Sequence, residues 1–101
     1  MSTFVKACAA SEIAPGTAKL VTVDGQELAI FNVDGAFHAI DNECPHRGGP
    51  LAEGEIDGCI VTCPWHAWQF DVRSGESITD DLTVPRHEAR VEDGDVMVAV
   101  G

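Results

Sequence analysis

Basic residues are scarce in this chain: six lysines and arginines stand against seventeen aspartates and glutamates, for a formal charge of −11. Nucleic-acid backbones require a basic footprint, so that class of partner is excluded. The same charge opposes adsorption to anionic lipid. It favours solubility, and it also suits docking onto a basic face of a partner. Long apolar runs are missing too. Nothing approaches the ~18 residues of a membrane-spanning helix, and Lys6 interrupts the apolar start MSTFVKACAASEIAPG before it could form a signal-peptide core. Helical periodicity fails in every window of about 11 residues, and Pro15, Pro45, Pro50, Pro64 and Pro85 break most candidates. One weak helical option is left, the Ala-rich stretch 7–13. These absences predict a soluble protein of the cytoplasm, where glutathione keeps thiols reduced. In that setting four cysteines favour metal ligation over a disulfide framework.

What the chain does contain is turn chemistry. At 101 residues it reads as a single domain, 1–101. Such a chain buries roughly 60–65% of its unfolded surface, enough for a modest core. Asp24-Gly25, Asp34-Gly35, Asp57-Gly58, Ser74-Gly75 and Asp93-Gly94 punctuate it, with LVTV, ELAIFNV, AFHAI, CIVT, FDV and DVMVAV between them. Asp-Gly is a strong hairpin signal, because tight turns need positive φ. Val, Ile, Phe and Thr suit pleated strands. The fold class predicted is all-β, built from short antiparallel strands.

Two phrases then stand out on this map: Cys44-Pro45-His46 after the strand AFHAI, and Cys63-Pro64-Trp65-His66 after CIVT. Sixteen residues separate His46 from Cys63, and a hairpin with its turn at Asp57-Gly58 would fold the two loops together. Thiolate and imidazole both bind borderline-soft metals, so two of each complete a site. One tetrahedral zinc could take all four. Alternatively, a two-iron, two-sulfide cluster could take the cysteines on one iron and the histidines on the other. Zinc knuckles usually draw like ligands from each arm, whereas here each loop offers one of each kind. The prolines and Gly48-Gly49 would shape the loops and let backbone N–H groups approach closely.

With this spacing the sequence resembles the Rieske iron–sulfur proteins: Cys-x-His, about 16 residues, then Cys-x-x-His, seen here as Cys44, His46, Cys63 and His66. The flanking segments CPHRGGPL and CPWHAWQFDVRSGE share the likeness, which is specific over 38–76 and looser elsewhere. The resemblance implies a Rieske fold, an antiparallel β-sandwich with a two-loop cluster-binding subdomain over about 44–68. It implies one [2Fe-2S] cluster, with Cys44 and Cys63 on one iron and His46 and His66 on the other through Nδ1. Among such proteins the chain is most similar to the soluble ferredoxins of ring-hydroxylating dioxygenase systems. The implied function is one-electron transfer from an NAD(P)H-dependent ferredoxin reductase to a terminal oxygenase, without catalysis by this chain. A small Rieske subunit of an assimilatory nitrite reductase, working with its large subunit, is the alternative. A structural zinc module is the reading from a different class.

Departures from the family carry expectations of their own. Respiratory relatives bridge the two loops with extra cysteines, where this chain has Gly49 and Trp65. They also place serine and tyrosine hydroxyls near the cluster sulfurs, where this chain has Trp68 and Phe70. Fewer donors to sulfur disfavour reduction, so the potential is expected near the bottom of the ~ −150 to +300 mV Rieske range. Ala67 replaces a usual glycine; at positive φ it would cost about 1 kcal/mol. Cys8 and Cys59 are read as small buried hydrophobes, with a Cys8–Cys59 bridge conceivable only in an oxidising compartment. His38 and His87 are read as surface strand residues, and Trp65 and Trp68 as packing that shields the cluster. Pro85 and the loop 78–84 are expected to cover it from a third side.

Overall fold

The computed structural model describes residues 3–43, 50–65, 68–78 and 83–100. Among the described residues ten strands follow one another: β1 (Thr3–Ala9), β2 (Ala18–Val23), β3 (Gln26–Val33), β4 (Ala36–Asp41), β5 (Glu55–Asp57), β6 (Ile60–Thr62), β7 (Gln69–Asp71), β8 (Arg86–His87), β9 (Ala89–Glu92) and β10 (Asp95–Val100). They form three antiparallel sheets, ordered β1-β10-β9, β2-β3-β4-β8 and β5-β6-β7. The all-β expectation holds. The stretch 7–13 is not a helix: β1 runs through Ala9, and only a single 3₁₀ turn follows at Ala10–Glu12. Pairing with β10, from Thr3↔Val100 to Ala9↔Asp95, overrides the weak local preference. No helix among the described residues is long and apolar enough to cross a membrane.

The run ELAIFNV explains the layering. Side chains of a strand alternate between faces, so four consecutive buried residues mean that both faces are covered. Leu28, Ala29, Ile30 and Phe31 are all fully buried. Leu28 and Ile30 enter one core with Cys8, Ile13, Val21, Val23, Ala39, Val96 and Val98. Ala29 and Phe31 enter a second with Ile40, Leu51, Val61, Cys63, Phe70, Val72 and Val84. The central sheet therefore packs by one face against β1 and β10, making a body with them, and by the other against a smaller region built on β5, β6 and β7.

Turn chemistry sets the hairpins. Asp24-Gly25, Asp34-Gly35 and Asp93-Gly94 each place both residues at positive φ, as type I′ turns need. The turn expected at Asp57-Gly58 is shifted by one. Asp57 pairs with Ile60, leaving Gly58-Cys59 as the loop, with only Gly58 at positive φ. Glycine in the first central position is the pattern of a II′ turn. Cys59 is thus a half-buried turn residue rather than the first residue of the strand expected over CIVT.

Candidate metal centre

Each segment expected to carry ligands is flanked by paired backbone that forms a narrow neck. The first departs from the end of β4. Glu43 and Pro50 form a bridge across it. Just inside the neck, Leu51 N–H donates to the Asn42 carbonyl at 2.8 Å, and Ala52 N–H donates to Asn42 Oδ1 at 2.9 Å. Asn42 N–H donates to the Glu27 carbonyl at 3.0 Å, tying the neck to β3. A 3₁₀ turn, Leu51–Glu53, then leads into β5. Here glycine is required by close approach: a Cβ at Gly54 would run into the Thr62 carbonyl.

The second loop sits at the far end of the β6–β7 pair. Thr62 pairs with Gln69, and Cys63 N–H donates to the Trp68 carbonyl at 2.7 Å. Cys63 is 2% exposed and carries a free thiol. It shares its apolar surroundings with Leu51, so the two necks open over the same core. A third segment flanks β7: Ile78 N–H donates to the Gln69 carbonyl, and Val84 N–H to the Gly75 carbonyl. Gly75 tolerates no side chain, since a Cβ would meet the Val84 carbonyl.

Of the four predicted ligands, Cys63 is described at this neck. Cys44, His46 and His66 lie outside the described residues, as do Gly48, Gly49 and Ala67. Among the described residues no other group of three or more His, Cys, Asp or Glu side chains could hold a metal ion. Residues 79–82 of the proposed covering loop also fall outside. Pro85 is exposed, and its carbonyl accepts the Asp41 N–H at 3.0 Å, which anchors that segment to the end of β4.

Several secondary expectations need correction. Cys8 belongs to the body and Cys59 to the edge of the second core, so a bridge between them is ruled out by placement. Burial, then the nearby Glu12 carboxylate, pushes the Cys8 thiol up, which makes it an inert core residue. His38 and His87 are half-buried rather than surface residues. Burial first, then the Arg86 charge, depresses the His38 pKa. His87 Nε2 lies 2.7 Å from Asp41 Oδ1, closing the β4–β8 edge. Sequence reasoning also missed Asn42, whose only signal is its place two residues before Cys44. Trp68 is half-buried against the second core, but Trp65 is 58% exposed and does not pack as expected.

Acidic side chains border the first neck: Glu27, Asp41 and Glu43 line a shallow depression of about 450 Å³ with Thr22, Gly25 and Gln26. In the second region, Asp71 receives the Arg73 backbone N–H at 2.8 Å and its guanidinium at 2.8 and 3.1 Å. The Arg73 side-chain bonds, foremost, hold the Asp71 carboxyl below its usual range.

A buried free thiol at one neck, over a core shared with a second closed neck, fits a soft metal centre. The Rieske [2Fe-2S] domain model matches residues 3–97. The chain belongs to that family. It is 41% identical over 99 residues to the biphenyl dioxygenase ferredoxin subunit of Pseudomonas sp. (strain KKS102), covering 95% of this chain and 91% of that protein. A chain in the complex of reduced oxygenase and oxidized ferredoxin of carbazole 1,9a-dioxygenase is 34% identical, with a TM-score of 0.88 over 95% of this chain and 92% of its own. A protein named as an NADH-dependent nitrite reductase small subunit, from Mycobacterium tuberculosis, is 29% identical, with a TM-score of 0.91 over 100% of this chain and 97% of its own. As a Rieske protein the chain carries one [2Fe-2S] cluster, and electron transfer is the function its ferredoxin relatives share.

Proposed function

We propose that this chain, a single Rieske domain over 1–101, is a cytoplasmic one-electron carrier between an NAD(P)H-dependent ferredoxin reductase and a terminal oxygenase. The observation that carries this reading is the near full-length likeness to a chain from an oxygenase–ferredoxin complex. It is supported by the 41% identity to a dioxygenase ferredoxin subunit. The chain itself turns over no substrate in this reading; it loads and unloads an electron.

Cys44 and Cys63 are assigned to one iron, and His46 and His66 to the other. Bound there, the cluster supplies a one-electron couple whose potential is raised by the imidazoles relative to all-cysteine ligation. The chain's own residues set the environment. Val61, Phe70 and Leu51 keep water from the Cys63 side of the centre. Phe70 offers no hydroxyl to a sulfur, which keeps the potential low in the Rieske range. Trp65, exposed beside the second loop, gives a partner an apolar contact where the loops emerge. The acidic border of the first neck suits a basic partner surface.

The test is reconstitution. Reduced protein mixed with a candidate terminal oxygenase should be reoxidised, and adding the reductase and NAD(P)H should sustain product formation. Failure with oxygenases, together with electron delivery to a nitrite reductase large subunit, would select the second reading. The likeness to the nitrite reductase small subunit favours that reading.

A further inference from the structure

Two asparagines are buried among the described residues, each 5% exposed, and their settings differ. Asn32 belongs to the body. Its Nδ2 donates to the Ile13 carbonyl at 2.8 Å, and Gly35 N–H donates to its Oδ1 at 2.8 Å, so both ends of the amide are satisfied, one of them in the β3–β4 turn. Asn42 lies two residues before Cys44. It takes the Leu51 and Ala52 N–H groups on its carbonyl and Oδ1, and its own N–H holds the Glu27 carbonyl. Among the described residues its Nδ2 meets no acceptor. Three bonds from one residue thus join the strand that enters the first ligand loop, the 3₁₀ turn that leaves it and the neighbouring strand β3.

We propose that Asn42 is a positioning residue for the cluster: it clamps the neck of loop 44–49, so that Cys44 and His46 are presented along a fixed path. This rests on the assignment of Cys44 and His46 as ligands. The physical reason is the position of the clamp. A residue bonded across the eight residues that separate Asn42 from Leu51 removes most of the segment's freedom to open. The Oδ1 bond is part-buried, so its loss leaves the Ala52 N–H with no protein acceptor and only partial access to water. An opened neck lets a ligand leave iron, and outer residues that orient ligands are commonly worth about 10–100-fold in metal affinity. Asn32 has equal burial and two side-chain bonds against one for Asn42, but bonds to neither neck. It is the internal comparison.

The experiment uses the cluster-loaded protein and three variants, Asn42→Ala, Asn42→Asp and Asn32→Ala. Cluster release is followed by bleaching of visible absorbance in an iron chelator, with EPR g values of the reduced state and the thermal midpoint recorded alongside. Asn42→Ala should release the cluster about 10–100-fold faster and shift the g values. Asn42→Asp keeps an acceptor for Ala52 N–H, and should restore both readouts toward wild type. Asn32→Ala should lower the thermal midpoint while leaving release and g values unchanged. The proposal is overturned if Asn42→Ala and Asn32→Ala release the cluster at the same rate. If Asn42→Ala assembles no cluster, Asn42→Asp decides: retention supports the clamp, and loss overturns it. A wild-type protein without iron and sulfide would instead refute the ligand assignment itself.

Discussion

β2, β3 and β4 run six, eight and six residues and pair along their lengths, whereas β5, β6 and β7 have three residues each. The body closes its hairpins with Asp-Gly turns and seals the one between β3 and β4 with Asn32. The second region consists of short pairs whose ends open into ligand loops. Strands that short are marginal without other support. Metal-binding free energy becomes folding free energy where a site is not otherwise held together. The contrast teaches that the molecule pairs a self-sufficient sandwich with a region whose order depends on what the loops grip.

The largest effect should follow from attacking the grip. Cys63→Ser, measured by iron content and hydrogen exchange, should abolish the native cluster and deprotect amides of β5–β7, leaving Leu28–Phe31 protected. Uniform loss of protection across both regions would break the comparison. Next come opposite faces of β3. Phe31→Ala should cost about 3–5 kcal/mol, and Leu28→Ala about 2–5 kcal/mol, in denaturant unfolding. Only Phe31→Ala, on the second-core face, should also speed cluster release.

A smaller effect is expected from Phe70→Tyr. If the added hydroxyl reaches a cysteine sulfur, a redox titration will show a higher potential. An unchanged potential with lower stability would mean a buried hydroxyl without a partner, a cost of about 1–3 kcal/mol. The smallest effect concerns acid. Because Asp71 is held below its unfolded pKa of 3.8, its contribution is fully present above that pH and fades as pH falls through the folded value. Arg73→Ala should flatten this acid limb in unfolding curves recorded between pH 5 and pH 2 (approximate limits). At neutral pH, where that contribution is fully present, the variant should be slightly less stable than wild type.

Much of this was legible in the residues, for physical reasons that can be named. Asp24-Gly25, Asp34-Gly35 and Asp93-Gly94 announce turns because few other pairs accept positive φ twice. Gly58 accepts it alone, so Asp57 could remain in β5 and the turn moved by one residue. β1 was illegible because its pairing with β10 spans nearly the whole chain, and TFVKACA has no strong local preference. The proposed ligand pattern Cys44, His46, Cys63, His66 is written in spacing. The necks that hold it depend on Asn42, Leu51 and Trp68 backbone bonds, which no spacing announces. The exposure of Trp65 was equally hidden, since an aromatic beside a ligand reads as packing until its neighbours are placed.

The central claim is that one iron pair is held by two cysteines at one end and two histidines at the other. Metal and acid-labile sulfide analysis of anaerobically purified protein, with EPR after reduction, tests it most directly. The account predicts two irons and two sulfides per chain, with a reduced-state signal whose average g lies below the free-electron value. A colourless protein holding a single zinc ion would contradict it.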